Sequence, residues 1–512
     1  MGTGGKPMGF FGQKREPVPP HPRKEPRIDL PVNADSIKTA FHNCADLSFR
    51  ELYLAGDPNK RLELFTVAGM VKMERAADYI LRPLAQDGEL ARMDLNQAFD
   101  HMEKGALYNL GVTVRDTMDQ VVNDLITGNC ILLFPGKEKV LSFSTGTEEK
   151  RSISPPENEP SLKGARDAFV ENLRTNTSLV RRHIRAPELR ISEQLVGRQS
   201  LTPVDVVWVE GLTDPDLVRE VERRVEAIDI DALLAAGNLE EYLVDEVDTP
   251  FPMLAITERP DRFCQGLMEG RVGILLEGMP LGWLAPGTFG KFFTTGQDSA
   301  SNWMVASCVA VLRYLCVLVT LFLPGFYVAA VTFHPEMIPL KLAQSINAAK
   351  TGVPFTTVFE VLILLVAFEI LQEAGLRLPA PIGQTVSILG GLVVGSAAVE
   401  AKIVSPAVLI VVAVAGIAGY TVPNQDLAGA FRIWRFLITA AASIAGAAGL
   451  VLAGLVLVCH LARLESFGVA YLTPFAANAG EQVEGHAVLR QPLSRTKLRP
   501  AALHPRNRRN QG

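Results

Sequence analysis

The sequence predicts an α+β soluble N-terminal half made of two α/β subdomains, followed by an all-α polytopic membrane domain. Three observations carry this reading. The 512 residues are 48% hydrophobic, too apolar for an ordinary soluble enzyme of this length. That hydrophobicity is unevenly spread: the chain is charged and mixed up to about Ser299, then dominated by long apolar runs to about Ala462. Within the first half, helix-like and strand-like patterns alternate.

Residues 1–32 contain basic residues and prolines but no apolar core, so a disordered cytoplasmic tail is expected rather than a secretory signal. MGTGGK places Lys6 where a myristoylation site prefers Ser or Thr. From 33 to 145 the first α/β subdomain is expected. DLNQAFDHMEKGALYNLG and VTVRDTMDQVVNDLITG have apolar residues at helical spacing, and GNCILLF, PGKEK and VLSFS read as a strand, a turn and a strand. A charged, proline-rich connector spans 146–162.

The second α/β subdomain is expected over 163–279. ARDAFVENLRTNTSLVRRHI reads as a helix, LTPVDVVWVE as a strand, DPDLVREVERRVEAIDIDALLAAG as an amphipathic helix capped by Asp214 before Pro215, and GRVGILLEG as another strand. No GxxxxGK[ST], GxGxxG after a strand, or HExxH occurs, and the six cysteines show no paired spacing. No enzyme activity, metal, cofactor or nucleic-acid partner is therefore expected.

The membrane domain is placed at 280–475, with candidate segments at 303–335, 353–374, 382–399, 403–425 and 434–462, each near the ~20 residues that a spanning helix needs. The Gly390–Gly391 pair leaves room for a broken or re-entrant helix. A basic tail follows over 476–512. With no signal at one end and this tail at the other, both termini are predicted cytoplasmic, which requires an even number of crossings. Five candidates conflict with that, so one does not cross or the count is off.

Three carboxylates interrupt the second apolar segment: Glu360, Glu369 and Glu373. A charge at the bilayer centre costs on the order of 3 kcal/mol, which makes these candidate pore or ion-path residues. Nine positions separate Glu360 from Glu369, which puts them on opposite helix faces, while Glu369 and Glu373 share one. The structural readings are a Glu373–Arg377 pair at the membrane surface, Glu360 near the other surface, and Glu369 paired with Arg313, the candidate intramembrane charge partner. His334 and Glu336 flank Pro335 in FHPEMIP and read first as an interfacial loop. Gly375 and Pro379 shape a turn. Gly391 and Gly395 form a GxxxG suited to helix packing, within the chain or between copies.

Seven motifs occur in a fixed order: TERPDRFCQGLMEGRVGILLEG, FHPEMIP, GVPF, FEILQEAGLRLP, PIGQT, GGLVVGSAAV and IVSP. Together with KGARDAFVENLRTNTSLVRRHI and GRQSLTPVDVVWVE, this run resembles the A subunit of GerA-type spore germination receptors over about Ser161 to Phe475. In it His334, Pro335, Glu336, Gly375, Arg377 and Pro379 stand at family motif positions. Gln372 departs from the pattern, standing where the family more often has Arg. The resemblance implies an integral protein of the inner spore membrane that forms a homo-oligomer, a pentamer, and releases cations when nutrient binds. It also implies a transporter-like B subunit and a lipoprotein C subunit as partners, with membrane lipid around it. The alternatives are a SpoVAF-type accessory ion-release protein and, from another class, a secondary transporter with a broken-helix site.

Overall fold

The computed structural model describes residues 28–104, 111–146, 156, 159, 163–377, 393–476, 489–492, 496 and 498–510. The chain divides into two compact units, Met1–His42 with Ser48–Thr147, and Asn43–Leu47 with Glu148–Gly512.

The first unit opens with α1 (Ala34–Ala40), whose Asn33 cap accepts from the Ser36 amide. Its sheet contains β1 (Leu47–Tyr53), β2 (Arg61–Val67), β3 (Val112–Arg115), β4 (Cys130–Leu133) and β5 (Val140–Phe143), in the order β1-β2-β4-β5-β3. The expected hairpin is present, with Cys130 opposite Phe143. β1 and β2 were not legible as strands. VTVR, read as the start of a helix, pairs instead with β5, and the helix that follows it is α3 (Met118–Ile126). Before it, α2 (Leu95–Glu103) starts at a reciprocal capping box between Asp94 and Gln97. Leu64, Leu132 and Leu141 of the sheet meet Ile80, Phe99 and Met102 of the helices in one buried core.

The second unit begins the same way. α4 (Leu173–His183) is shorter than its sequence pattern suggested, because Asn172 caps it by accepting from the Thr175 amide. β6 (Leu189–Val196), β7 (Thr202–Val209), β8 (Ala255–Thr257), β9 (Val272–Leu276) and β10 (Gly282–Ala285) form an antiparallel sheet in the order β6-β7-β9-β10-β8. Asp214 caps α5 (Pro215–Glu226) as expected; α6 (Ala236–Leu243) and α7 (Pro260–Glu269) follow. Both sheets thus use the same strand order, first-second-fourth-fifth-third. In each, a helix ends just before a glycine at positive φ, Gly128 (φ 92) or Gly270 (φ 104), that turns the chain into the fourth strand.

The helical part of this unit contains α8 (Trp303–Thr332), α9 (Leu340–Lys350), α10 (Thr357–Arg377), α11 (Pro406–Gly419) and α12 (Gln425–Arg463). α12 is not one rod. Its 39 residues would span about 58 Å as a straight helix, with Phe431 and His460 about 43 Å apart. Both rings instead lie beside Phe251, at 6.0 and 5.9 Å between centroids, and Trp434 lies 5.8 Å from His460. The chain reverses at Ala445 and Gly446, where the backbone leaves the helical region and Gly446 takes φ 59. Residues 425–444 and 447–463 are therefore antiparallel arms of a hairpin. A broken helix is thus present at Gly446, and the Gly390–Gly391 pair falls outside the described residues.

Packing fixes the direction of the others. α8 starts at the sheet end of the unit, where Tyr314 stacks on Phe293 at 4.3 Å, and finishes at the hairpin tip, where a Cβ on Gly446 would sit 3.0 Å from Phe333. Midway, Gly325 admits both arms: a Cβ there would come within 2.9 Å of Leu450 and 3.4 Å of Ala442. α11 runs antiparallel to α8, with Thr320 donating to the Ala415 carbonyl and Val328 sharing a core with Val404, Val408 and Val412. α10 runs parallel to α11, with Glu360 beside Ser405 and Phe368 against Gly416. Arg377 and Ser405 consequently lie at opposite ends of the bundle. The sheet and the helices share one core, in which Phe251, Phe289 and Tyr471 meet Phe431, Val317, Leu321 and Leu461.

Candidate functional site

Two carboxylates of α10 point to opposite sides of the helix, as their spacing requires, and each meets different cations. Glu369 is clamped by the first arm of α12: Oε1 accepts from the Arg435 guanidinium and Oε2 from Arg432 at 3.3 Å. Arg435 is 2% exposed and Glu369 24% exposed, so this is a largely buried charge pair with a second cation at its edge. The two arginines stand three residues apart and so share a helix face. Arg313 is not the partner. It binds Asp298, at 2.6 and 3.1 Å, and donates to the Phe293 carbonyl at 2.8 Å. It thereby anchors the start of α8 to the short helix Gly296–Ala300 that precedes it.

Glu360 is completely buried near the far end of the bundle. Its Oε2 accepts from the Ser405 amide at 2.8 Å, the N-cap of α11, where the positive end of the helix dipole favours a carboxylate. Its Oε1 has no hydrogen bond, and the nearest cation is Lys350 at 3.6 Å. Lys350, the last residue of α9, donates to the Thr357 hydroxyl. Glu373 is exposed one turn beyond Glu369. The side chain of Arg377, and all of Pro379 and Gly391, lie outside the described residues.

The remaining candidates are structural in their surroundings. His334 lies 3.3 Å from Glu336 in the turn Pro335–Met337 and packs beneath the hairpin tip, with Nε2 3.2 Å from where a Gly446 Cβ would be. Gly375 is half-buried on α10. A Cβ on Gly395 would make an ordinary 3.6 Å contact with Leu409 of α11, a packing contact within the chain. No group of three or more metal-ligating side chains occurs among the described residues.

Sequence reasoning overlooked Arg432, Arg435 and Lys350. The signal for the arginines was available, since they are isolated cations beside an apolar run and share a face. For Lys350 there was none, because only tertiary packing brings it to Glu360.

The sheet end carries its own buried charges. Asp46 and Arg181, 1% and 0% exposed, form a two-pronged pair. Lys291 donates to both oxygens of Glu269, with Arg271 adjacent. Burial alone would raise the Glu269 carboxyl, but Lys291 and Arg271 outweigh it and hold it below the usual range. Asp205, on β7, is buried with neither oxygen hydrogen-bonded, and burial pushes its pKa up to about 7 against the pull of Arg174. The basic C-terminal segment is docked on this unit. Arg490 donates to the carbonyls of Asp298, Ser299 and Ser301, and Arg499 to those of Met268 and Asn507.

A profile of the family described as Bacillus/Clostridium GerA spore germination protein matches residues 35–502. The chain belongs to the GerA spore germination family. Among its relatives, spore germination protein KA of Bacillus subtilis (strain 168) is 35% identical over 94% of this chain and 88% of its own. Spore germination protein B1 of the same organism is 34% identical over 93% of this chain and 98% of its own. The uncharacterized membrane protein YfkQ is 36% identical over 89% and 88% respectively. The crystal structure of the N-terminal domain of the A subunit of the Bacillus megaterium spore germinant receptor GerK3 aligns at 29% identity, over 49% of this chain and 92% of that one, with a TM-score of 0.38. The resemblance read from the ordered motifs is therefore correct, and GerA membership extends beyond the motifs into the first subdomain and the C-terminal segment.

Proposed function

We propose that this GerA-family chain is the A subunit of a nutrient-gated germination receptor in the inner spore membrane, where copies of it assemble, as a pentamer, into a cation-release channel. A transporter-like B subunit and a lipoprotein C subunit complete the receptor. The observation that carries the reading is the bundle itself, an apolar set of helices with the Glu360 carboxylate fully buried inside it and one of its oxygens without a hydrogen bond. Intramembrane carboxylates are costly, and one left incompletely paired inside a bundle marks an ion or proton route by default.

α8 and α12 are long and apolar enough to cross a bilayer. α12 supplies two arms because of its reversal, and α10 and α11 run in the same direction. On this reading the chain crosses an even number of times and both termini lie on the cytoplasmic side. Thiol labelling from outside intact cells should reach a cysteine placed at Met337 or Asn347 and spare one placed at Asn33 or Leu234; the reverse pattern would overturn this orientation.

The activity itself is tested by reconstituting the purified A, B and C subunits in potassium-loaded liposomes. Nutrient should trigger potassium release only when all three are present. A complete, correctly assembled complex that passes no cation with any germinating nutrient would refute the channel.

A further inference from the structure

We propose that the pocket around Glu360 is a binding site for a monovalent cation, and that the Lys350 ammonium occupies it as a tethered substitute. A buried carboxylate requires compensation of both oxygens. Glu360 has it for one: Oε2 takes the Ser405 amide at the start of the 14-residue helix α11. Oε1 is shielded from water and has no hydrogen-bond donor. The cation that faces it, Lys350, stands 3.6 Å away, beyond hydrogen-bond reach, while its ammonium bonds Thr357. The ammonium therefore lies between a carboxylate oxygen and a hydroxyl oxygen, where a potassium ion of similar size would find the same two ligands.

The other polar groups around the site fit a cation. Thr357 is 5% exposed and Ser405 2% exposed. Tyr327 of α8 packs against the cluster that holds Val361 and Val404, the neighbours of Glu360 and Ser405 in sequence. No second carboxylate is needed, because a monovalent ion leaves the pocket neutral with Glu360 ionised.

Lys350 also supplies a route. Its side chain is 30% exposed, whereas the Glu360 side chain is fully buried, so the lysine stem passes from the surface to the carboxylate. Lys350 ends α9, an exposed helix on the far side of the bundle, and is followed by Gly352 at φ 91, across which the Lys402 side chain packs. Withdrawal of α9 would take the ammonium out of the pocket and leave room for a free ion. Its consequence for conduction rests on the channel reading above; the site itself rests on the geometry alone.

The test is a thermal melt of the full-length protein in detergent, comparing potassium chloride with choline chloride at equal ionic strength. Choline is a much larger cation than potassium and surrounds its charge with methyl and methylene groups, so it cannot take the place of a bare ion. Lys350→Met removes the tethered cation, and its melting temperature should rise in potassium by about 3 °C or more relative to choline, as ligand linkage requires. The parent protein should shift by less than about 1 °C, because its own ammonium fills the site. Lys350→Met combined with Glu360→Gln should lose the response. A folded Lys350→Met variant that melts equally in both salts overturns the site, and so does a double variant that still responds. Should Lys350→Met fail to accumulate, Lys350→Gln, which keeps a polar end in the pocket, carries the same comparison. Since the melt reads binding and not flux, a silent channel leaves the result intact.

Discussion

Glu369→Gln separates an ion-path carboxylate from a structural clamp. The substitution keeps the shape of the side chain and removes its charge, leaving Arg435, 2% exposed, without its counter-ion. Stranding one member of a fully buried pair costs about 3–5 kcal/mol. Here Glu369 is 24% exposed and Arg432, at 30%, is partly hydrated, which moves the expected loss toward about 2–3 kcal/mol. That should lower the melting temperature of the detergent-purified protein by roughly 3–4 °C. Adding Arg435→Met should recover most of the loss, because the pair is then removed from both sides. Potassium release from reconstituted receptor, normalised to assembled protein, should stay near the parent level. A melting temperature within about 1 °C of the parent would refute the clamp. Unchanged stability with reduced flux would place Glu369 on the ion path instead.

Three further outcomes are expected. If α12 is a hairpin, cysteines replacing Trp434 and His460, in a background without Cys308 and Cys459, should be bridged by a thiol reagent spanning about 10 Å, since a straight helix would hold them about 39 Å apart. Failure to cross-link would restore the single rod. Asp46→Asn should destabilise the second unit by about 3–5 kcal/mol in chemical denaturation, because Arg181 is buried without exposure; a loss under about 1 kcal/mol would contradict the pair's burial. Asp205 has a folded pKa of about 7, raised by burial, so the folded state binds a proton that the unfolded chain has already released. Its contribution is complete below the unfolded pKa near 4 and is lost as pH rises to about 7, with each unit worth about 1.4 kcal/mol. Asp205→Asn should therefore flatten the stability–pH curve between about pH 4 and 7 and gain relative to the parent at pH 8, and an unchanged slope would count against it.

Much of the fold class was legible because its signals are local. Val204, Val206 and Trp208 of LTPVDVVWVE pack into one core, and the Asp214–Pro215 start of α5 needs nothing beyond its own cap. The apolar runs after Ser299 were equally plain. Strands β1 and β2 were not legible, because half-exposed sequences such as LSFRELY alternate weakly, and their pairing partners lie far along the chain. The repeated strand order of the two sheets was likewise hidden, since few residues of the two copies coincide beyond the glycine after the helix and the apolar strand that follows it.

For the candidate site, sequence alone determined that Glu360 and Glu369 exist in an apolar helix and face opposite ways, since helical periodicity is an internal property of one segment. Tertiary structure decided everything about their partners. It gave Arg435 and Arg432 to Glu369, consigned Arg313 to Asp298, and brought Lys350 and the Ser405 amide to Glu360. It also folded one apolar run into two arms at Gly446. A hydropathy pattern records how much of a segment avoids water. It does not record where the chain turns, because a single glycine at positive φ reverses a helix without changing that pattern, and charge pairing depends on which helices the reversal brings together.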